Sequence, residues 1–316
     1  MSDARHAAGP DRRAFLAASA SAAASLAAGA ARSADGLGGI PMVETTVHLY
    51  DPTRPQGAPY APDPTGMSAA KYQAHAAPGV VAAVATECSP WIEDNLWLLE
   101  ACAKDPFMVG AIGNLRPEAK EFGEYLERYH KNPMYVGIRH GNLWGYDLPK
   151  QLNDARFVAG LRLLGEAGLV LDLANPNLEL LQAAVRVNDV APNLKIVVDH
   201  LAGFYPAPQE QAAGAAVLRE FRQRPLIYGK LTAFGLGMPN NPPPLTLEAN
   251  GERLEAFYDA FGEDRVIGGT YSEKTIPLFK AFLAPKGRAA AEKFFWRNSA
   301  KAYGWRPRTP DQPRLA

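Results

Sequence analysis

The chain has 316 residues, 47% of them hydrophobic, with 33 basic and 33 acidic residues and a formal net charge of zero. That length and apolar content can bury one large core, and α/β domains of this size are commonly single. Neutrality leaves no basic field of the kind a phosphate backbone attracts, so nucleic acid is not an expected partner.

The N-terminus differs in kind from the rest of the chain. The stretch DRRAFLAASASAAASLAAGAARSADG passes from a basic pair into an Ala-rich, weakly apolar run and then small residues, the pattern of an export signal. Arg12, Arg13, Phe15 and Leu16 resemble the twin-arginine signal, with Asp11 standing where Ser or Thr is usual. Residues 1–30 therefore read as a signal for export, to the periplasm or otherwise out of the cytoplasm, cleaved after Ala28-Gly29-Ala30 or close to Ala31-Arg32-Ser33, with 31–41 as a linker. The apolar run is broken by serines and falls short of the ~20 strongly apolar residues a membrane span needs. No stable span is expected once the signal is removed.

From residue 42 onward, short β-branched runs alternate with amphipathic stretches, the pattern of a parallel sheet wrapped by helices. Eight strands are predicted: 43–50, 80–87, 108–115, 135–140, 169–174, 195–202, 226–234 and 266–273. Eight such units predict a single-domain α/β fold, a (β/α)₈ TIM barrel over residues 42–305, followed by a C-terminal tail at 306–316. Between the strands, Trp91, Leu98 and Cys102 share one helical face, as do Phe122, Tyr125, Leu126 and Tyr129. Gly168 is placed to stop the helix before the fifth strand. Cys88 and Cys102 are expected as two buried thiols rather than a disulfide framework. Two long loops, 51–66 and 235–251, come after the first and seventh strands, on the side where a barrel of this kind builds its active site.

Alternation along a strand identifies the side chain that points inward at each carboxyl end. With His48 inward, the corresponding tips are Glu87, Asn114, Arg139, Asp172, His200, Lys230 and Tyr271. A packed barrel core prefers Val, Ile and Leu, and uncompensated charges there cost several kcal/mol each. A polar group at every tip implies a wet, ligand-binding mouth. By the same count His140 and Asp199 face away from the barrel axis and serve structural roles. Tyr50 begins the first long loop, within reach of a substrate.

In order along residues 42–305, these segments resemble the amidohydrolase-related superfamily, in particular its metal-dependent hydrolase and lactonase branch. VETTVHLYDPTRP is similar to its opening Asp-x-His-x-His motif, TECSPWIEDNLWLLE to its second-strand segment, YVGIRHG to its Gly-x-Arg-His strand, VVDHLAG to its Asp-His strand and FFWRNSAKAYGW to its C-terminal helix. His48 and His200 match retained positions. Glu44 replaces the opening Asp, Thr46 the first His, and Tyr271 the last Asp of the barrel.

Those departures shape the functional expectation. A catalytic zinc keeps about three protein ligands and a water, and a threonine and a tyrosine are neutral hydroxyls near pH 7. No cofactor is therefore favoured. The alternative is a divalent metal, Zn or Mn, held by His48, His200 and a carboxylate such as Glu44 or Asp172. The resemblance implies an exported hydrolase that opens a lactone or similar cyclic ester of a sugar acid or dicarboxylate. A small carboxylate-bearing substrate is the expected partner. The catalytic set would be His48, His200, Tyr271 and Asp172, with Arg139, Lys230, Glu87, Asn114 and Tyr50 binding substrate. Arg139 matches the Gly-x-Arg position, and its planar fork suits a carboxylate. The general base stays open among Tyr271, Asp172, Glu87, Glu273 and the histidines. Two further readings remain: a barrel that only binds a small anion, and a metal-dependent hydrolase or decarboxylase with an unusual ligand set.

Overall fold

The computed structural model describes residues 36–234 and 242–315. Residues 1–30, read above as an export signal, residues 31–35 and residues 235–241 of the segment expected as a loop lie outside the described residues. No helix among those described is long and apolar enough to cross a membrane.

Eight strands form one parallel sheet in sequence order: β1 (Met42–His48), β2 (Val80–Thr86), β3 (Met108–Gly113), β4 (Tyr135–Gly141), β5 (Val170–Ala174), β6 (Lys195–Val198), β7 (Ile227–Leu231) and β8 (Val266–Gly268). Helices follow the strands, and together they make the (β/α)₈ barrel. Two predicted helical faces are largely buried, with Leu98 and Cys102 on one helix and Phe122, Leu126 and Tyr129 on the other, but Trp91 precedes the first helix, which begins at Asp94, and Trp91 and Tyr125 are half-buried. The helix Ala155–Glu166 stops before Gly168, whose φ of +72° is the left-handed conformation glycine adopts freely. Both cysteines are buried free thiols.

The seam between β8 and β1 is fastened by a side chain. Glu44 turns its carboxylate across it, and the amides of Thr270 and Tyr271 donate to it at 3.0 and 2.9 Å. The same carboxylate accepts from the amides of Thr45 (2.8 Å) and Thr46 (3.2 Å) inside a register shift of β1. Burial pushes the Glu44 pKa up, and these backbone donors oppose that shift. Four donors are what a fully buried carboxylate needs to remain in an apolar wall.

The C-terminal segment closes the opposite end of the barrel. Lys195, at the start of β6, donates to the carbonyls of Lys301 and Ala302. Arg308 donates to the carbonyls of Cys102, Asp105 and Met108, covering the end of a helix and the start of β3. Within the helix leading there, Lys293–Arg297 is a π turn. Such a turn breaks the regular carbonyl pairing, and the Tyr271 hydroxyl donates to the Phe295 carbonyl at 3.3 Å.

Candidate active site

At the carboxyl end of the barrel lies a cavity of about 540 Å³ lined by Thr46, His48, Tyr60, Glu87, Arg139, Asn142, Leu143, Trp144, Asn175, His200, Ala233 and Thr270. Backbone conformation marks the same place. Among the described residues the non-glycine positions with positive φ are Trp144, Asn175, His200, Ala233 and Thr270, each just beyond the end of one of β4 to β8. All five line this cavity. A left-handed turn in a non-glycine residue costs energy and concentrates at functional sites.

Thr46 and His48, two apart on β1, share the cavity face. The Thr46 hydroxyl is buried without a hydrogen-bond partner among the described residues. His48 Nδ1 lies 3.1 Å from the carbonyl of Glu87. A carbonyl only accepts, so Nδ1 carries the proton and Nε2 keeps its lone pair. Burial lowers the His48 pKa to about 3, reinforced by the Arg139 charge, so the imidazole is neutral near pH 7.

Glu87 extends from the end of β2. The Ser89 amide donates to its Oε2 at 2.8 Å, and the Trp144 indole N–H is shared between its two oxygens at 3.1 and 3.2 Å. Burial raises its pKa to about 7 against the opposing pull of Arg139, Trp144 and Ser89. Both protonation states are therefore populated near neutrality, the condition a general acid–base group requires.

Arg139, on β4, is buried between groups that balance its charge but do not consume its donors. Its guanidinium stands 3.8 Å from Glu87 Oε1 and 3.6 Å from Asp199 Oδ2, beyond hydrogen-bond reach. Among the described residues its one hydrogen bond is Nη2 to His200 Nε2 at 3.1 Å, and its Nε has no partner.

His200 sits past the end of β6 with φ +58°. Thr232 Oγ1 accepts from its amide at 3.1 Å and lies 2.8 Å from its Nδ1. Because a guanidinium can only donate, Nε2 accepts from Arg139 and Nδ1 bears the proton. Burial takes the His200 pKa down to about 4, with Asp199 opposing and Arg139 assisting.

Beneath the cavity is a sealed floor. Lys230 Nζ contacts Asp199 Oδ1 at 2.5 Å, Asp172 Oδ2 at 3.2 Å and the Thr45 carbonyl at 3.1 Å. Tyr303, from the closing helix, donates its hydroxyl to Asp172 Oδ2 at 2.9 Å and places its ring 5.3 Å from the Lys230 ammonium. Burial, then the neighbouring Asp199, raises the Asp172 pKa to about 7. Asp199 moves the other way, since Lys230, His200 and Arg139 overcome the cost of burying its charge.

Of the residues chosen from sequence, His48, Glu87, Arg139 and His200 meet in the cavity. The rest do not. Asp172 and Lys230 are inside the barrel but fully buried in the floor. Tyr271 packs between the sheet and the last helices, against Phe279 and Phe295. The alternation count fails for it because β8 ends at Gly268 and Thr270 turns left-handed, reversing the direction of the next side chain. Asp199 needs the opposite correction. It continues the inward set of β6 after Val197, and His200 reaches the mouth only through its left-handed turn. Asn114 is spent on Asn95 and on the carbonyls of Ser89 and Trp91. The Tyr50 hydroxyl braces the first loop by accepting from the Asp63 amide. Glu273 is exposed and outside the cavity lining. Sequence reasoning missed Trp144, Tyr60 and Thr270, whose positions depend on loop paths. The turn-rich segment GNLWGYD after β4 was the available signal for Trp144.

The family model described as Amidohydrolase matches residues 42–305. The chain belongs to the amidohydrolase family. Among solved structures it resembles an amidohydrolase from Burkholderia multivorans with bound zinc, at 17% identity and a TM-score of 0.68, covering 84% of this chain and all of that one. It also resembles a putative 2-pyrone-4,6-dicarboxylic acid hydrolase from Pseudomonas putida, at 18% identity and a TM-score of 0.65, covering 84% of this chain and 98% of the other. A third is 5-carboxyvanillate decarboxylase from Novosphingobium aromaticivorans, complexed with manganese and 4-hydroxy-3-methoxy-5-nitrobenzoic acid, at 14% identity and a TM-score of 0.57, covering 84% of this chain and all of that one. No curated protein sequence matches the chain. Structural neighbours of this amidohydrolase-family chain thus include hydrolases and decarboxylases, and some hold a divalent metal.

The residues of this cavity do not fit such a metal. Among the described residues no three His, Cys, Asp or Glu groups converge on a common point. Thr46 offers a hydroxyl two residues before His48, and the His200 Nε2 lone pair already accepts from a guanidinium. A tight divalent site needs about three strong donors with free lone pairs.

Proposed function

We propose that this amidohydrolase-family protein hydrolyses the lactone or similar cyclic ester of a sugar acid or dicarboxylate, without a bound metal, after export by the twin-arginine pathway. The observation that carries the reading is Arg139. It is a buried guanidinium with most of its donors uncommitted, at the edge of a 540 Å³ cavity and beside a carboxyl group that titrates near pH 7.

Ester hydrolysis asks for a water-activating base, a cationic or hydrogen-bonding environment for the carbonyl oxygen, and a grip on the rest of the substrate. Arg139 supplies the positive charge and the planar donors for a carboxylate or a developing oxyanion. Ionised Glu87 takes a proton from water as the oxygen adds to the ester carbon. The protonated acid then returns it to the ring oxygen as the C–O bond breaks. His48 presents a neutral Nε2 lone pair to the cavity, suited to accepting from a substrate hydroxyl or the attacking water. Tyr60 and Trp144 form the walls, and Trp144 also aims Glu87. Asp172, Lys230 and Tyr271 take no direct part.

The test is proton release from a panel of sugar-acid and dicarboxylate lactones by protein lacking residues 1–30, with and without chelator. The expected result is turnover of a carboxylate-bearing lactone that chelator leaves unchanged. Turnover abolished by chelator would favour the metal-dependent reading, and calorimetric binding without turnover the anion-binding barrel. Export is tested separately by the N-terminal sequence of periplasmic protein, which should begin near residue 31 and be lost in R12K/R13K.

A further inference from the structure

We propose that Arg139 is the built-in cation of this site: its guanidinium occupies the His200 lone pair that a metal ion would have to bind, and so bars the metal while supplying its charge. The proposal relies on the hydrolytic reading for the use of that charge but on geometry alone for its placement.

Nitrogen chemistry supplies the argument. His200 Nδ1 is committed to Thr232, 2.8 Å away, on a hydroxyl that also accepts from the His200 amide. Nε2 is the ring's remaining coordinating atom, and Arg139 Nη2 donates to it at 3.1 Å. A nitrogen lone pair directed at an N–H donor cannot also bind a metal, and two cations cannot share one imidazole at contact distance in a buried site. The guanidinium is held there from both sides, by Asp199 at 3.6 Å and Glu87 at 3.8 Å, so it cannot swing away without leaving two carboxyl groups uncompensated. Lys230 fixes Asp199 from below at 2.5 Å. Thr46 fits the same arrangement. A third imidazole is missing where it would complete a metal set, and the hydroxyl there is buried and unpartnered, left free to donate.

Replacing Thr46 alone should therefore fail to create a metal site, whereas replacing it together with Arg139 should succeed. Zinc retention after equilibrium dialysis is measured for wild type, T46H and T46H/R139M, with folding followed by circular dichroism. The expected result is no stoichiometric zinc in the first two proteins and about one equivalent in the third. Stoichiometric zinc in wild type or T46H would overturn the proposal, as would a folded double variant that retains none. If the double variant does not fold, the wild type decides. Long-range ¹H–¹⁵N correlations of the imidazoles near neutral pH, assigned with H200N, should show His200 as the neutral Nδ1–H tautomer, unchanged by added zinc chloride. An Nε2–H tautomer, or a zinc-induced shift of Nε2, refutes the assignment. Neither readout depends on turnover, so a failed lactone panel and a failed metal test remain separable.

Discussion

The mouth and the floor of this barrel are made from the same side-chain types, yet only the mouth is open for chemistry. At the mouth, Arg139 keeps its carboxylate neighbours at 3.6 and 3.8 Å. In the floor, Lys230 holds its own at 2.5 and 3.2 Å and adds a backbone carbonyl. The difference is what surrounds each cation. Tyr303 enters the floor from the closing helix and adds a donor to Asp172 beside the Lys230 ammonium, whereas at the mouth the five left-handed residues turn the chain around an open cavity that leaves most of the Arg139 donors unspent. A buried charge in direct ion-pair contact inside a sealed floor is structural, and one with its counter-charges just out of reach beside a cavity is ready for a ligand.

That contrast can be broken by substitution, starting with the largest effect. E87Q should lower kcat by about 10²–10⁴, the usual worth of a positioned acid–base group, in steady-state kinetics. The wild-type kcat/KM profile should have a limb near pH 7 that E87Q removes. K230M should do the converse, costing about 3–5 kcal/mol of stability in urea unfolding by leaving buried charge uncompensated.

A pH series sharpens the comparison. Burial gives Glu87 a folded pKa of about 7, above its ordinary 4.5, so the native state holds this proton longer than the unfolded chain. Its contribution to stability is therefore full below pH 4.5 and lost as pH rises through about 7. E87Q lacks the titration, so its stability relative to wild type should rise across that window, by on the order of 3 kcal/mol. A flat difference in pH-dependent denaturation would contradict the assigned environment.

Smaller effects test the boundary. W144F keeps a large aromatic ring but loses the indole N–H that aims Glu87. It should cost roughly tenfold in kcat, about 1.4 kcal/mol, with KM little changed. Y271F removes one hydroxyl from the π turn; about 1 kcal/mol of stability should go, and turnover should stay. Loss of turnover in Y271F at full stability would place Tyr271 back among the catalytic groups.

The barrel itself was legible from the chain because its signals are local. Strand runs, helical faces and the Gly168 stop depend on period and propensity, which a sequence displays directly. His48, Glu87 and Arg139 were legible for the same reason, since β1, β2 and β4 run straight to these tips or to within one residue of them, whereas His200 reaches the cavity only through its left-handed turn past β6. Tyr271 and Asp199 were not legible in this way. Past Gly268 a left-handed turn at Thr270 redirects Tyr271, and Asp199 keeps the inward phase of Val197 while the left-handed His200 leaves it, which inverts the pair.

By itself, then, the sequence determined the fold class and the stock of polar groups placed near the strand ends, because both depend on short-range patterning and residue chemistry. Which of those groups face a ligand was decided only by tertiary structure. Glu44 reaches across the seam to the end of β8, and Tyr303 comes from the far end of the chain to donate to Asp172. The guanidinium of β4 meets the imidazole just past β6. Each of these contacts joins residues distant in the chain, and it is burial with or without a completed partner set that makes one polar tip structural and another reactive.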